Sequence, residues 1–239
     1  MGTSAGNLKI IYDNVSLRPD LRPDWGFSCW VDLPGAPLLF DTGADSRILL
    51  ENMSRMGLDP LEVAHIVLSH GHGDHTGGLA GLLARSKGPA VYVPASFPSG
   101  VEEALEAYGA ECQRIHEARL LFPGVYSTGE MGDVIPEQAM VVESPEGLMV
   151  VTGCAHPGIV EIAERVVEWF KAPIGILVGG FHLLGLGVSE IRSVAKRLEA
   201  LGVRRIVPCH CTGKEAQDII QDHFDDRCYT CGAGLQLSW

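Results

Sequence analysis

Four times along this chain an apolar, β-branched run ends in a glycine-rich turn that carries histidine, and a helical pattern follows. The run 63–69 leads into His70-Gly71-His72-Gly73-Asp74-His75, and a strand ending at Thr152 leads into Gly153-Cys154-Ala155-His156. The run 174–178 leads into Gly179-Gly180-Phe181-His182, and 204–207 leads into Pro208-Cys209-His210-Cys211-Thr212-Gly213. Strands that alternate with helices predict an α/β fold. In such folds, sites form where loops leave the carboxyl ends of strands. Four histidine-bearing loops of this kind predict one shared site.

The remaining pattern supplies the frame. Runs 8–15, 25–33 and 37–41 read as strands separated by turns at Arg18-Pro19-Asp20, Arg22-Pro23-Asp24 and Pro34-Gly35. Asp45 reads as the N-cap of a helix through Met56 that Gly57 stops. Further expectations are a helix over 76–86, a strand over 90–93, a helix over 101–108 and a strand over 124–128. A hairpin over 140–152 is closed by Pro145-Glu146-Gly147, and helices follow over 159–170, 189–201 and up to His223.

Bulk properties narrow the function classes. The length of 239 residues fits one large α/β domain or two small ones. A formal net charge of −12 repels a phosphate backbone and disfavours a nucleic-acid substrate. The N-terminus lacks the basic start and apolar stretch of a signal peptide. The most apolar segment, 174–188, is shorter than the ~20 residues of a membrane span and contains His182. The expectation is a cytoplasmic protein that binds no membrane. Seven cysteines, an odd number, argue against a disulfide framework and for a reducing compartment. Cys209, Cys211, Cys228 and Cys231 could make a structural zinc site, but a lone C-x-x-C reads first as incidental thiols. On a strand, Cys209 and Cys211 would both face away from His210.

The run from His70 to His75 holds four possible metal ligands in six residues. Imidazole nitrogen and carboxylate oxygen suit zinc, with manganese or iron as alternatives. His70 and His72, two apart at a strand end, point the same way, and Gly71 and Gly73 let the backbone wrap an ion. Asp74 and His75 can reach a second ion nearby. Such a run suits two divalent ions ~3.5–4 Å apart sharing a water that becomes hydroxide near neutral pH.

Ser69-His70-Gly-His72-Gly-Asp74-His75-Thr-Gly-Gly, with Asp41-Thr42-Gly43 upstream, resembles the H-x-H-x-D-H signature of the metallo-β-lactamase superfamily. The resemblance covers nearly the whole chain in element order. It implies a single domain over 1–239, built as a four-layer αββα sandwich with two mixed sheets flanked by helices. Thr152-Gly-Cys154-Ala-His156-Pro-Gly, Gly179-Gly-Phe-His182 and His210-Cys-Thr-Gly are similar to a narrower branch of metal-dependent hydrolases. That branch is related to a dihydropterin ribofuranosyl-aminobenzene phosphate synthase.

The resemblance implies roles one residue at a time. His70 and His72 resemble ligands of a first metal; Asp74, His75 and His210 resemble ligands of a second. Many members carry an aspartate that bridges the metals where this chain has Cys154. Either the Cys154 thiolate binds or bridges, or His156 takes over as ligand. His156 is also better placed than His116 or Glu130 to complete the first metal's histidines. Asp41 either accepts the second N–H of a ligating histidine or simply caps the Thr42-Gly43 turn. His182 is a ligand, an anion binder or the proton donor to a leaving group, the alternative being a buried histidine bonded to a carbonyl.

The function expected from this reading is hydrolysis of a small ester, lactone or phosphoester by a metal-bound hydroxide, with Asp74 and His182 catalytic and a phosphorylated substrate among the candidates. Two alternatives are a metal-dependent transferase or synthase acting on a phosphorylated pterin precursor, and a metal-binding relative without catalysis.

Overall fold

The computed structural model describes residues 6–33 and 37–239. The expected turn at Pro34-Gly35 and the first five residues lie outside them. Two compact units emerge, one formed by 6–116 with Gly232–Trp239, the other by Glu117–Cys231. Each carries a mixed β-sheet with helices.

The first unit holds seven strands in the order Gln236–Ser238, Asn7–Tyr12, Ser28–Asp32, Leu38–Phe40, His65–Val67, Ala90–Pro94, Glu111–Ile115. The first four of these pair antiparallel and the last four parallel, so Leu38–Phe40 is the turning point. Helix Ser46–Arg55 packs Ile48, Leu49, Asn52 and Met53 inward, at helical spacing. Asp45 caps it as expected, accepting from the Arg47 and Ile48 backbone N–H groups, and Gly57 follows at φ 70°. The core beneath includes Trp30, Leu39, Ile66, Leu82 and Val91.

The expected helix over 76–86 is instead two short pieces, Gly73–Thr76 and Leu79–Leu83. The break follows from close packing. A Cβ on Gly77 would lie 2.1 Å from the Ala44 carbonyl oxygen, and one on Gly78 2.1 Å from that of Thr42. These glycines let the Asp41-Thr42-Gly43 loop lie against the start of the helical segment.

The second unit holds six strands in the order Arg205–Cys209, Ile174–Gly180, Gly147–Thr152, Met140–Ser144, Val125–Gly129, Glu117–Phe122. The first three run parallel, so their outgoing loops share one sheet end. Helix Ile159–Phe170 buries Ile159, Ile162, Ala163 and Val166 at i, i+3, i+4 and i+7. It packs with Leu177, Ile191, Leu198, Ile220 and Phe224 in a second core.

Three strands carry weak sequence signals. Glu111–Ile115 is largely half-buried and Glu117–Phe122 largely exposed, each carries two charged residues, and Gln236–Ser238 is three residues long. Exposed His116 lies between the first two. Among the described residues no helix is long and apolar enough to cross a membrane.

Candidate metal centre

In the first unit, a buried carboxylate organises the histidine loop. Asp41 sits at φ 53° where its strand ends and is fully buried. It accepts the Ser69 backbone N–H at 2.7 Å and the Ser69 hydroxyl at 2.7 Å, and its Oδ2 lies 2.7 Å from His75 Nδ1. Ser69 Oγ, its proton directed at Asp41, lies 2.9 Å from His70 Nδ1 and therefore accepts from it. Asp41 thus sets the Nδ1–H tautomer of His75 directly and of His70 through Ser69. In both rings Nε2 is then the unprotonated nitrogen. Burial pushes the Asp41 carboxyl above its usual range, and the bonds from His75 and Ser69 oppose that shift.

His70 Nε2 lies 3.0 Å from His72 Nδ1, and the His70 and His75 ring centroids are 4.3 Å apart. Metal–nitrogen bonds of ~2.0–2.1 Å in a tetrahedral site put neighbouring donors ~3.3 Å apart. The spacing fits such a pair. Asp74 Oδ2 lies 3.7 Å from His75 Nε2 and accepts the indole N–H of half-exposed Trp25 at 2.9 Å. Thr42 donates from backbone N–H and hydroxyl to the His75 carbonyl, joining the two loops. The structure thus brings Asp41, His70, His72, Asp74 and His75 together, and adds Ser69 and Trp25.

The second unit repeats the device with Glu137. Its side chain is fully buried. Oε1 accepts the backbone N–H groups of Gly153, Cys154 and Ala155 at 3.1, 2.9 and 2.9 Å. Oε2 accepts the His156 N–H at 3.0 Å and lies 2.8 Å from His156 Nδ1. With both oxygens engaged by N–H donors, the carboxylate holds the loop in place. His156 is left presenting Nε2. The His156 and His182 rings are 4.6 Å apart, and donor atoms of Cys154, His156 and His182 lie within 4.8 Å of one another.

His210 follows the strand Arg205–Cys209 and opens a 3-10 turn at φ 47°. This corrects the expectation that Cys209 and Cys211 face the same way. A left-handed residue between them ends the strand alternation. Cys209 is disulfide-bonded to Cys231, whereas Cys211 is a free thiol that reaches the Cys154 carbonyl at 3.6 Å. The reading of Cys209 and Cys231 as incidental thiols is corrected by that bond, and half-buried Cys228 is free. Donor atoms of Cys154, His210 and Cys211 also lie within 4.8 Å of one another. Hydrogen bonds from Cys154 and then His182, with the positive field of His210, hold Cys211 well below the usual thiol range against its burial. The same contact with Cys211 raises His182.

Strain marks these loops. Among the described residues, six other than glycine have positive φ, and four of them are Asp41, Ala155, His182 and His210. Such conformations cost ~1–3 kcal/mol each and cluster at functional sites. A cavity of about 450 Å³ lies beside His156 and His182, lined also by Gly132, Asp133, Val134, Ile135 and Pro157. A wider groove of about 750 Å³ along Glu164, Lys171 and Arg197 is lined by no histidine or cysteine.

Glu137, Ser69 and Trp25 were given no role of their own in the sequence reading. Glu137 acts 16–19 residues away from its own position, which no local pattern reveals. Cys211, read from the sequence only as one of four cysteines able to make a structural zinc site, lies with Cys154 and His210 instead.

A model of the metallo-β-lactamase superfamily matches residues 26–210. A Methanocaldococcus jannaschii 7,8-dihydropterin-6-methyl-4-(β-D-ribofuranosyl)-aminobenzene-5'-phosphate synthase is 26% identical over 234 residues, covering 79% of this chain and 80% of that protein. A solved metal-dependent hydrolase of the β-lactamase superfamily superposes with a TM-score of 0.82 at 29% identity, covering 97% of this chain and 98% of that one. A diphosphatase from the PhnP family shares the fold at a TM-score of 0.67 and 15% identity, covering 100% of this chain and 98% of that one.

Proposed function

The chain belongs to the metallo-β-lactamase superfamily, and from that premise we propose that it is a metal-dependent hydrolase of a small ester, lactone or phosphoester metabolite. The observation that carries this reading is the pair of buried carboxylates, Asp41 and Glu137, each fixing a histidine through Nδ1 so that Nε2 is offered outward. Rigid imidazoles with one tautomer are what a divalent ion requires of its ligands. His70, His72, Asp74 and His75 in the first unit, and His156 and His210 in the second, would serve as ligands of divalent ions, zinc by their donor chemistry, with manganese or iron as alternatives. When bound, such ions supply Lewis acidity toward a carbonyl or phosphoryl oxygen and acidify water. The family match runs without interruption from 26 to 210 across both units, which supports one functional domain.

The residues divide the remaining work. Asp74, oriented by the Trp25 indole, can take the proton of attacking water. His182 lines the cavity and carries a raised proton affinity, so it can protonate a leaving group. The cavity volume admits a small molecule, and the Gly132–Pro157 side supplies an apolar wall with one carboxylate. A phosphorylated substrate agrees with the similarity to the M. jannaschii 5'-phosphate synthase. The synthase relative also favours a second reading, transfer onto a phosphorylated pterin precursor.

The test is turnover by zinc- or manganese-loaded protein of a panel of nitrophenyl phosphoesters, lactones and esters, beside a dihydropterin phosphate. Hydrolysis that falls at least ~10²-fold in Asp74→Asn and in His182→Ala supports the proposal. Consumption of the pterin with no hydrolysis of any panel member would replace it with the synthase reading.

A further inference from the structure

The loop between strands Val125–Gly129 and Met140–Ser144 carries Glu137, and it also builds one side of the cavity beside His156 and His182. Met131 and Glu137 exchange two backbone hydrogen bonds, each of 2.9 Å, so Gly132, Asp133, Val134 and Ile135 form a closed tip. Three anchors fix that tip. Met131 packs against the second core. The Glu137 carboxylate is bonded to the backbone of the histidine loop from Gly153 to His156. Gly132 lies so near that loop that a Cβ on it would sit 3.2 Å from Pro157 Cγ.

Held in this way, the tip exposes apolar surface. Val134 is 93% exposed, more than any other large apolar side chain among the described residues. A single apolar residue on a surface needs no explanation. Here, however, Ile135 and Pro157 line the same cavity. The chain leaving His182 adds Leu184, 65% exposed and packed so close to Gly213 that a Cβ there would lie 2.7 Å from Leu184 Cδ1. Side chains left in water beside a cavity forgo burial that a ligand can supply. Charge points the same way. Among the described residues that line the cavity there is one carboxylate, Asp133, and no lysine or arginine. An anionic group placed against the tip would meet Asp133 with no fixed cation to offset it.

We propose that the loop from Met131 to Glu137 selects the substrate, Val134 and Ile135 covering an uncharged apolar group, acyl or aryl, next to the bond that is cleaved. Any phosphoryl or carboxylate group of that molecule lies at its other end, away from Asp133. The inference rests on the hydrolase reading only in taking this cavity as the substrate's.

Binding of a neutral fluorescent probe, phenylnaphthylamine, to the zinc-loaded full-length protein tests this without turnover. The wild type should bind it, and Val134→Ser should weaken binding at least ~3-fold, with a larger loss when Ile135→Ser is added. Leu120→Ser, which removes an exposed leucine from strand Glu117–Phe122, should leave binding unchanged. The sulfonated analogue, anilinonaphthalene sulfonate, should bind more weakly than the neutral probe, and Asp133→Asn should narrow that gap. This pattern supports the proposal even in a protein that hydrolyses no ester of the panel, so the two readings fail separately. No binding of the neutral probe by the wild type overturns the selecting loop. So does binding that survives the double serine variant, or that falls equally in Leu120→Ser. A sulfonated probe bound as tightly as the neutral one overturns the choice of an uncharged group.

Discussion

Asp41 Oδ2 lies 2.7 Å from His75 Nδ1, and both side chains are fully buried. The pair is joined by residues 34 apart in sequence. Asp41→Asn keeps the shape but removes the charge that favours ligand basicity. Metal affinity should fall ~10–100-fold. Competition with a chelating dye would measure it, and wild-type affinity in the variant would rule out this role for Asp41.

Glu137 makes the corresponding prediction in the other unit. In Glu137→Gln one carboxylate oxygen becomes an NH₂ group, which must face either three backbone N–H donors or the two N–H groups of His156. Leaving buried donors unmatched costs ~1–3 kcal/mol. Thermal unfolding should register that loss. A second readout separates positioning from mere stability. Well below the melting temperature, metal bound per chain should drop, because His156 loses its Nδ1 partner. A destabilised variant with full metal content would confine Glu137 to a structural role.

Gly180→Ala tests the close approach of three loops. The added methyl meets the Gly153 carbonyl oxygen and Cys211 Sγ at distances no real contact tolerates. Overpacking of this kind costs ~1–3 kcal/mol. The expected result is a lower melting temperature. An unchanged melting curve would mean that the loops move apart freely.

Asp45→Ala removes a helix cap remote from the histidines' own hydrogen bonds. The cost should be ~1 kcal/mol, or ~2–4 °C in melting temperature for a chain of this size. The Arg47 guanidinium and the Arg47 and Ile48 backbone N–H groups hold the Asp45 carboxyl at about 2. A lowered folded-state value stabilises above the unfolded value and is lost on acidification. The wild-type advantage over the variant should therefore be full above pH ~4 and fade as pH falls toward about 2. An advantage independent of pH across that window would show that the carboxylate's charge plays no part.

Chelation gives the broadest check. Removing divalent metal should abolish hydrolysis and lower the melting temperature, since ions that bind only the folded chain stabilise it. Zinc should restore both. Hydrolysis that persists after complete metal removal would contradict the proposed function.

The strand–loop–helix repeats and the donor run at His70–His75 were legible because they depend on short-range spacing. Apolar periodicity announces a helix such as Ile159–Phe170, and a glycine-histidine alternation announces a cluster of donor side chains at one strand end. The charged strands Glu111–Ile115 and Glu117–Phe122 were not legible, because edge strands bury too little to need an apolar pattern. The tertiary structure alone decided which carboxylate serves which loop. Glu137 lies in a proline-containing loop with no local signature, and only burial beside Gly153–His156 makes it a hub. It also separated Cys209 from Cys211. Sequence alternation would keep them on one side, but a left-handed His210 turns one toward Cys231 and the other toward Cys154. The amino-acid order determines which side chains leave each strand end. Hydrogen bonds and packing across many residues of separation decide which of them meet.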